Sequence, residues 1–165
     1  MTREKPQKTV TNTRRTVFGI LCGAIATLAM TAIMAPGIIS GVSPVPKPIP
    51  VVLTAKTIGN IIPKTAVKPV GIFLHFCYGA LFGVVLANLR RNPGVKDGLV
   101  LGVLLWLLMN LVALPYIGWG LFGSSVNPMI SIATLLVHLV YGLVLGLLLT
   151  RYISGDEFGK PEPET

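Results

Sequence analysis

The chain has 165 residues, of which 52% are hydrophobic and only 12% are charged, and its mean hydropathy is +0.74. A composition this apolar excludes an ordinary soluble domain and indicates a protein surrounded by lipid. The formal net charge is +8. Because the basic residues lie mainly beside alternate ends of the apolar stretches, we interpret this charge as a signal for orientation in the membrane and not as a nucleic-acid-binding surface.

Four apolar stretches without a formal charge are long enough to cross a bilayer as helices, which takes about 20 residues each. The third looks short, but Asp97 and Gly98 before it and Tyr116 to Trp119 after it extend it into the interfaces. The sequence therefore predicts an all-α polytopic membrane protein, with a single four-helix membrane domain at residues 16–153 between tails at residues 1–15 and 154–165. The four stretches are Val17 to Met34, Val70 to Leu89, Leu99 to Leu114 and Met129 to Thr150.

The distribution of lysine and arginine predicts which helix ends face the cytoplasm. Ten basic residues lie before the first stretch, after the fourth stretch and in the second connection, which contains Arg90, Arg91 and Lys96. Four lysines lie in the first connection and none lies in the third. Because basic residues beside membrane helices favour the cytoplasmic side, we expect both termini to be cytoplasmic.

The first connection, residues 36–68, is an outer loop rich in proline. Alternating prolines predict an extended, stiff spacer. Beyond it, Val51 to Ile62 mixes apolar and polar residues, which fits either a short helix at the outer membrane surface or an irregular loop. Met1 to Asn12 and Ser154 to Thr165 are polar, and we expect both segments to be disordered. The alternating prolines are Pro44, Pro46, Pro48 and Pro50.

Internal repetition is the most informative feature of the sequence. The second and fourth stretches share His, Tyr, Gly and Gly at identical spacing, and they contain the only two histidines of the chain. The first and third stretches align more weakly, with Thr31 on Asn110. We interpret the chain as two helical hairpins, repeat one at 16–91 and repeat two at 96–153. Corresponding helices run the same way, which makes the repeat parallel about an axis along the membrane normal.

Glycines spaced by four residues form a stripe on each of the four predicted helices. In lipid, where no hydrophobic force draws helices together, such small residues permit close approach of the backbones. We therefore interpret these glycines as helix-packing residues. They are Gly19 and Gly23, Gly79 and Gly83, Gly98 and Gly102, and Gly142 and Gly146.

Polar residues follow the glycines toward the outer end of each stripe. Counted from the charged inner ends at about 1.5 Å per residue, four of them fall at similar depths. We therefore predict an intramembrane polar layer in the outer half of the bilayer, facing the bundle interior because such groups are costly in lipid. It comprises His75, His138, Asn110 and Thr31, with Tyr78 and Tyr141 about one turn below.

Three uses of this layer stay open. The polar groups could form interhelical hydrogen bonds in a structural or regulatory subunit. They could relay protons or pass a small solute, alone or within a homodimer, since imidazoles titrate near neutrality. Two histidines could also ligate a haem. No metal site is predicted, because zinc would need further ligands. No enzyme is predicted either, since the spans hold no carboxylate pair and no activated serine.

The paired His-x-x-Tyr-Gly-x-x-x-Gly motif resembles the YagU-like small prokaryotic membrane proteins, as do the Met-Thr and Met-Asn pairs that begin six residues ahead of Pro36 and Pro115. The resemblance covers about residues 15 to 150. It implies four helices in the inner membrane, in a family without an established activity. No functional residue is carried over from it, and the long Pro-rich first connection departs from the family pattern.

Overall fold

The computed structural model describes residues 12–154. The polar tails at residues 1–11 and 155–165, which the sequence predicts to be disordered, lie outside the described residues. Within residues 12–154 the chain is helical without strands. Asn12 and Ser154, assigned above to the tails, belong to helical segments.

Four helices of the described chain are long and apolar enough to cross a membrane, which confirms the all-α prediction. The first hairpin consists of α1 and α3, and the second hairpin consists of α4 and α5. A short helix, α2, lies in the first connection. The bounds are α1 Asn12–Ile39, α2 Ile49–Ile58, α3 Lys64–Leu89, α4 Val95–Tyr116 and α5 Met129–Ile153.

The helices are longer than the apolar stretches that predicted them. Pro36 lies inside α1, where a helix end was expected. Membrane helices tolerate proline because neighbouring groups satisfy the backbone that it leaves free. Pro115 is accommodated differently, since the turn before it, Met109–Ala113, is a wider π-helical turn within α4. A second π-helical turn, Thr150–Ser154, ends α5.

The first connection is shorter than predicted, because Pro36 and Lys64 to Lys68 belong to α1 and α3. The helical alternative for its second part is confirmed by α2, in which Pro50 occupies a position in the first turn that needs no N–H. Helix α2 packs on α3 at Gly71, where an added Cβ would lie 2.9 Å from the Cα of Val51. Its position at the membrane surface stays a prediction.

Polar contacts join the helices at the end where the described chain begins and finishes, here called the terminal end. The Arg15 guanidinium donates to the carbonyls of Ala87, at 2.8 Å, and of Arg90 and Arg91 at the C-terminus of α3. A cation is favourable there because it faces the negative end of the helix dipole. In the second connection Arg90 pairs with Asp97 at 3.0 Å.

Two apolar clusters fill the bundle. The larger occupies its terminal half and includes Cys22, Leu105, Tyr141 and Leu145. The smaller closes the opposite end, here called the loop end. Its buried residues are Val45 from the Pro-rich segment, Leu114 from α4 and Ile130 from α5.

Candidate functional site

Glycines bring the backbones of α1 and α3 into direct contact. Gly19 faces Gly83, and Gly23 faces Gly79. A Cβ added to Gly19 would lie 2.6 Å from the Cα of Val84, well inside ordinary van der Waals distance. Any side chain at these positions would therefore push the two helices apart, and only glycine permits the observed separation.

The second hairpin uses the same kind of contact. Gly98 faces the carbonyl of Gly142, and Gly102 faces the carbonyl of His138. A Cβ added to Gly98 would lie 2.9 Å from the backbone nitrogen of Gly146. At the terminal end, a Cβ on Gly146 would lie 2.8 Å from the Gly94 carbonyl oxygen. We call these two rows of contacts the glycine seams.

The two seams differ in register. In the sequence alignment Gly19 corresponds to Gly98, and Gly83 corresponds to Gly146. Gly19 and Gly83 lie against each other's carbonyls, whereas Gly98 lies against the carbonyl of Gly142, four residues before Gly146. Compared with the first hairpin, α4 is therefore displaced along α5 by one helical turn, about 6 Å, toward the loop end.

This register separates the polar residues by depth. In an antiparallel pair of helices, a residue several positions later in one helix lies opposite a residue the same number of positions earlier in the other. Because Gly79 lies between Gly23 and Thr27, Thr31 lies within one turn of His75. Because Gly102 contacts both His138 and Gly142, Asn110 lies between the levels of Ile130 and Thr134, one to two turns beyond His138.

Asn110 therefore lies farther toward the loop end than His138, whereas Thr31 stays close to the level of His75. The single layer of all four residues stays a prediction. The prediction used charged residues as a common depth marker. Asp97 and Arg151, however, are not level, because α5 continues beyond the start of α4: Gly146 faces Gly94. The staggered helix ends make such a marker unreliable.

Buried polar atoms without a hydrogen-bond partner occur at Thr31 Oγ1 and Asn110 Oδ1 within residues 12–154. The amide nitrogen of Asn110 donates to the Trp106 carbonyl at 2.8 Å, and this bond orients the amide. The side chain is fully buried and sits in the π-helical turn of α4. Leaving such an atom unpaired costs about 1–3 kcal/mol, so each calls for an explanation.

The two histidines are half-buried and occupy matching positions on α3 and α5. His138 Nδ1–H donates to the Thr134 carbonyl at 2.7 Å. Since a carbonyl can only accept, the neutral ring carries its proton on Nδ1 and presents Nε2 as an acceptor. The His75 ring lies edge-on to Phe76, with 6.4 Å between ring centroids.

The paired tyrosines have different environments. Tyr141 is 2% exposed, and its hydroxyl donates to the Gly79 carbonyl at 2.7 Å, joining α5 to α3 across the two hairpins. Tyr78 is 39% exposed, and its ring is tilted against Phe82 at 4.8 Å. The sequence motif predicts equivalent roles for the two residues, but the structure assigns the link between hairpins to Tyr141.

The bundle is closed less tightly on one side. Helix α1 packs along both α3 and α5, and α4 packs along α5, but α3 and α4 touch very little. His75 and the exposed Tyr78 lie three residues apart on α3, on one face of that helix. Because α3 and α4 make so few contacts, the gap between these two helices is the open side of an otherwise closely packed bundle.

Thr134 belongs to the site but was not predicted from the sequence. It is buried, and its hydroxyl donates to the Ile130 carbonyl at 2.7 Å, while its own carbonyl accepts from His138. A polar residue four positions before His138 in an apolar span was the available signal. Among the described residues, no group of three or more His, Cys, Asp or Glu side chains is placed to hold a metal ion.

Comparison with known proteins identifies the family. The sequence matches, over residues 13–158, a family described as a family of unknown function, DUF6789. No curated protein and no solved structure matches the chain. Because the match covers most of the 165 residues, the chain belongs to the DUF6789 family.

Proposed function

We propose that this protein binds a small hydrogen-bonding solute, or relays protons, at polar groups inside the membrane, and that it serves permeation or transport. The observation that carries the proposal is the pair of buried, unpartnered oxygens at Thr31 and Asn110. Polar groups in membrane interiors are costly, and they usually mark a pathway or a binding site. A bound solute or water would supply the missing hydrogen bonds.

The histidines extend this polar region toward the middle of the bundle. His138 offers Nε2 as an acceptor, and the bond from Tyr141 to the Gly79 carbonyl brings α5 against α3 one turn from His75. The gap between α3 and α4 supports an entrance from the side. Because apolar clusters fill the two ends of the bundle, a complete crossing requires the helices to move.

The placement in the membrane is part of the same proposal. The bias of basic residues supports cytoplasmic termini. The resemblance to YagU-like proteins supports an inner-membrane location. The matched glycine seams support an internal duplication, with residues 16–91 and 96–153 as its halves. Four helices enclose little space, which favours a homodimer as the working unit.

A structural or regulatory subunit without transport is the second candidate. It is favoured by the tight glycine seams and by the bond from Tyr141 to Gly79, which together leave little room inside the bundle. Haem binding is a third and weaker candidate that rests on the histidine pair alone. A purified protein with no reducible band in the visible spectrum would remove it.

Flux measurements in proteoliposomes test the proposal. Proton entry would be followed with a trapped pH dye under a potassium diffusion potential, and entry of small polar solutes by light scattering. We expect Asn110→Leu to reduce flux about tenfold, the factor that corresponds to about 1.4 kcal/mol. Asn88→Leu is the matched control, since Asn88 also donates to the carbonyl four residues earlier but is exposed.

The threonines and histidines complete the test. Thr31→Val should reduce flux, whereas Thr57→Val, at an exposed position of α2, should not. His75→Phe and His138→Phe in stably folded protein should lower flux further. If every variant folds and the wild-type protein passes neither protons nor any solute of the panel, the structural alternative replaces the transport proposal.

A further inference from the structure

We propose that the second hairpin has two packing registers one helical turn apart, and that Trp106 holds it in the observed one. The two registers are argued from the packing alone. Only their consequence, the regulation of the polar site, rests on the proposed function. The physical basis of the two registers is the difference between the two glycine seams. The register that the second hairpin would reach after a one-turn displacement is the one seen in the first hairpin, with Gly19 against Gly83.

The glycines of the second hairpin are spaced by four residues, so a displacement of α4 by four residues along α5 again brings glycines together. If α4 moved one turn toward the terminal end, Gly98 would face Gly146 and Gly102 would face Gly142. Gly98 would keep a glycine partner, and Gly102 would exchange the carbonyl of His138 for that of Gly142, as Gly19 and Gly23 meet glycine carbonyls in the first hairpin. The contact between Gly94 and Gly146 would be lost, but close backbone contacts at Gly98 and Gly102 would be retained.

Trp106 explains why the second hairpin does not adopt that register at rest. Its counterpart in the first hairpin is Thr27, whose side chain covers Gly79 so closely that a Cβ there would lie 3.1 Å from the Thr27 Cβ. An indole in the corresponding place over Gly142 would be far too large. The register seen here instead places the Trp106 ring outside the seam.

Contacts outside the seam hold the indole in place. Trp106 Nε1–H donates to the Ser131 carbonyl at 2.9 Å, and the ring lies 5.8 Å from that of Phe122. Phe122 has a φ of 55°, a left-handed conformation that is uncommon for a bulky residue. Such strain persists only where surrounding contacts enforce it, and it is typical of segments that switch.

Two further features lie in the second hairpin, where the register differs from that of the first. Both π-helical turns of the described chain, Met109–Ala113 and Thr150–Ser154, lie in the second hairpin. Turns of this kind are frequent at functional sites. The unpartnered Oδ1 of Asn110 lies there too. A one-turn slip would carry Asn110 about 6 Å toward His138, to between the levels of Thr134 and His138.

Cysteine pairs can read the register directly. The two native cysteines are free and would first be replaced by alanine. The contact between Thr27 and Gly79 brings Cβ positions to 3.1 Å, slightly inside the roughly 3.5–4.5 Å that a disulfide spans, so residues in this relation are near enough to be crosslinked. One turn further along the first hairpin, Thr31→Cys with His75→Cys has the same relation and serves as the positive control.

Continued along the second hairpin by four-residue steps from the contacts of Gly98 with Gly146 and of Gly102 with Gly142, the same relation joins Asn110 to Thr134 in the observed register. It would exist between Asn110 and His138 only after a slip. We expect Asn110→Cys to crosslink rapidly with Thr134→Cys and more slowly, but to completion, with His138→Cys. Adding Trp106→Thr should accelerate the second reaction by about tenfold or more, since one hydrogen bond and one aromatic contact are removed.

The proposal is overturned if the pair at 110 and 138 stays reduced, with and without Trp106→Thr, under conditions that fully oxidise the pair at 110 and 134. If the variant with cysteines at 110 and 138 does not fold, nitroxide labels at the exposed positions Val100 and Leu136 would measure the same motion without altering the seam. Two distances, with the longer one enriched by Trp106→Thr, support the slip. A single unchanged distance rejects it.

These measurements do not depend on flux. A hairpin that slips in a protein without any transport would refute the proposed function and keep the two registers. A protein that transports while its cysteines and labels report a single register would refute the two registers and keep the proposed function.

Discussion

The glycine seam of the first hairpin makes a sharp prediction for the substitution Gly23→Ala. The new Cβ would lie 2.8 Å from the Cα of Ala80 and 3.0 Å from the carbonyl carbon of Gly79. Ordinary van der Waals contact begins at about 3.4 Å. Both neighbours are backbone atoms, which cannot rotate away, and the Gly79 carbonyl oxygen is nearer still, so α1 and α3 must part by at least about 0.6 Å.

A gap of that size loses a quarter to a half of the dispersion energy of each affected contact. Overpacking of this kind typically costs about 1–3 kcal/mol. We therefore expect Gly23→Ala to lower the free energy of unfolding by that amount. The loss should be visible as a lower midpoint in steric-trapping or thermal unfolding experiments in detergent micelles or bicelles.

Gly37→Ala is the matched control, since it makes the same chemical change in the same helix. The nearest atom to its Cβ would be the Ser43 Cβ at 3.4 Å, an ordinary contact. Alanine is also the better helix former by about 0.8–1 kcal/mol, so this variant should be as stable as the wild type or more so. Equal stability of the two variants would refute the role assigned to the seam.

Three other variants test the remaining contacts. Tyr141→Phe should lower the free energy of unfolding by about 0.6 kcal/mol, the average for a hydrogen bond between membrane helices, while leaving helix content by circular dichroism unchanged. Arg15→Gln should cost about 0.3–1 kcal/mol at the C-terminus of α3, and an effect that did not shrink in high salt would argue against the electrostatic part of this contact. Val45→Ala should cost about 1.6 kcal/mol for two buried carbons and speed proteolysis of the first connection; unchanged proteolysis would show that Val45 does not hold that segment.

The number of helices able to cross a membrane could be predicted from the sequence, because a bilayer of fixed thickness demands long uncharged apolar stretches. The small residues of the seams could be recognised too, since residues four apart share a helix face. What the periodicity could not predict was the end of a helix. Pro36 resembles a stop signal, yet α1 continues through it to Ile39.

The polar residues show where sequence reasoning was incomplete. His75, His138, Thr31 and Asn110 could be chosen because polar groups are rare in apolar spans. Their depths could not be predicted, because the charged residues used as markers lie on helices with staggered ends. The different roles of two tyrosines in identical motifs also required the structure, since only Tyr141 reaches across to the other hairpin.

The sequence alone determined which residues face a neighbouring helix, because a pattern of period four specifies a helix face whatever the partner does. Only the tertiary structure decided how far each helix is displaced along its neighbour. A ladder of glycines repeats itself every turn, so the pattern is compatible with several displacements of about 6 Å. The choice between them falls to a bulky side chain, and in the second hairpin that side chain is Trp106.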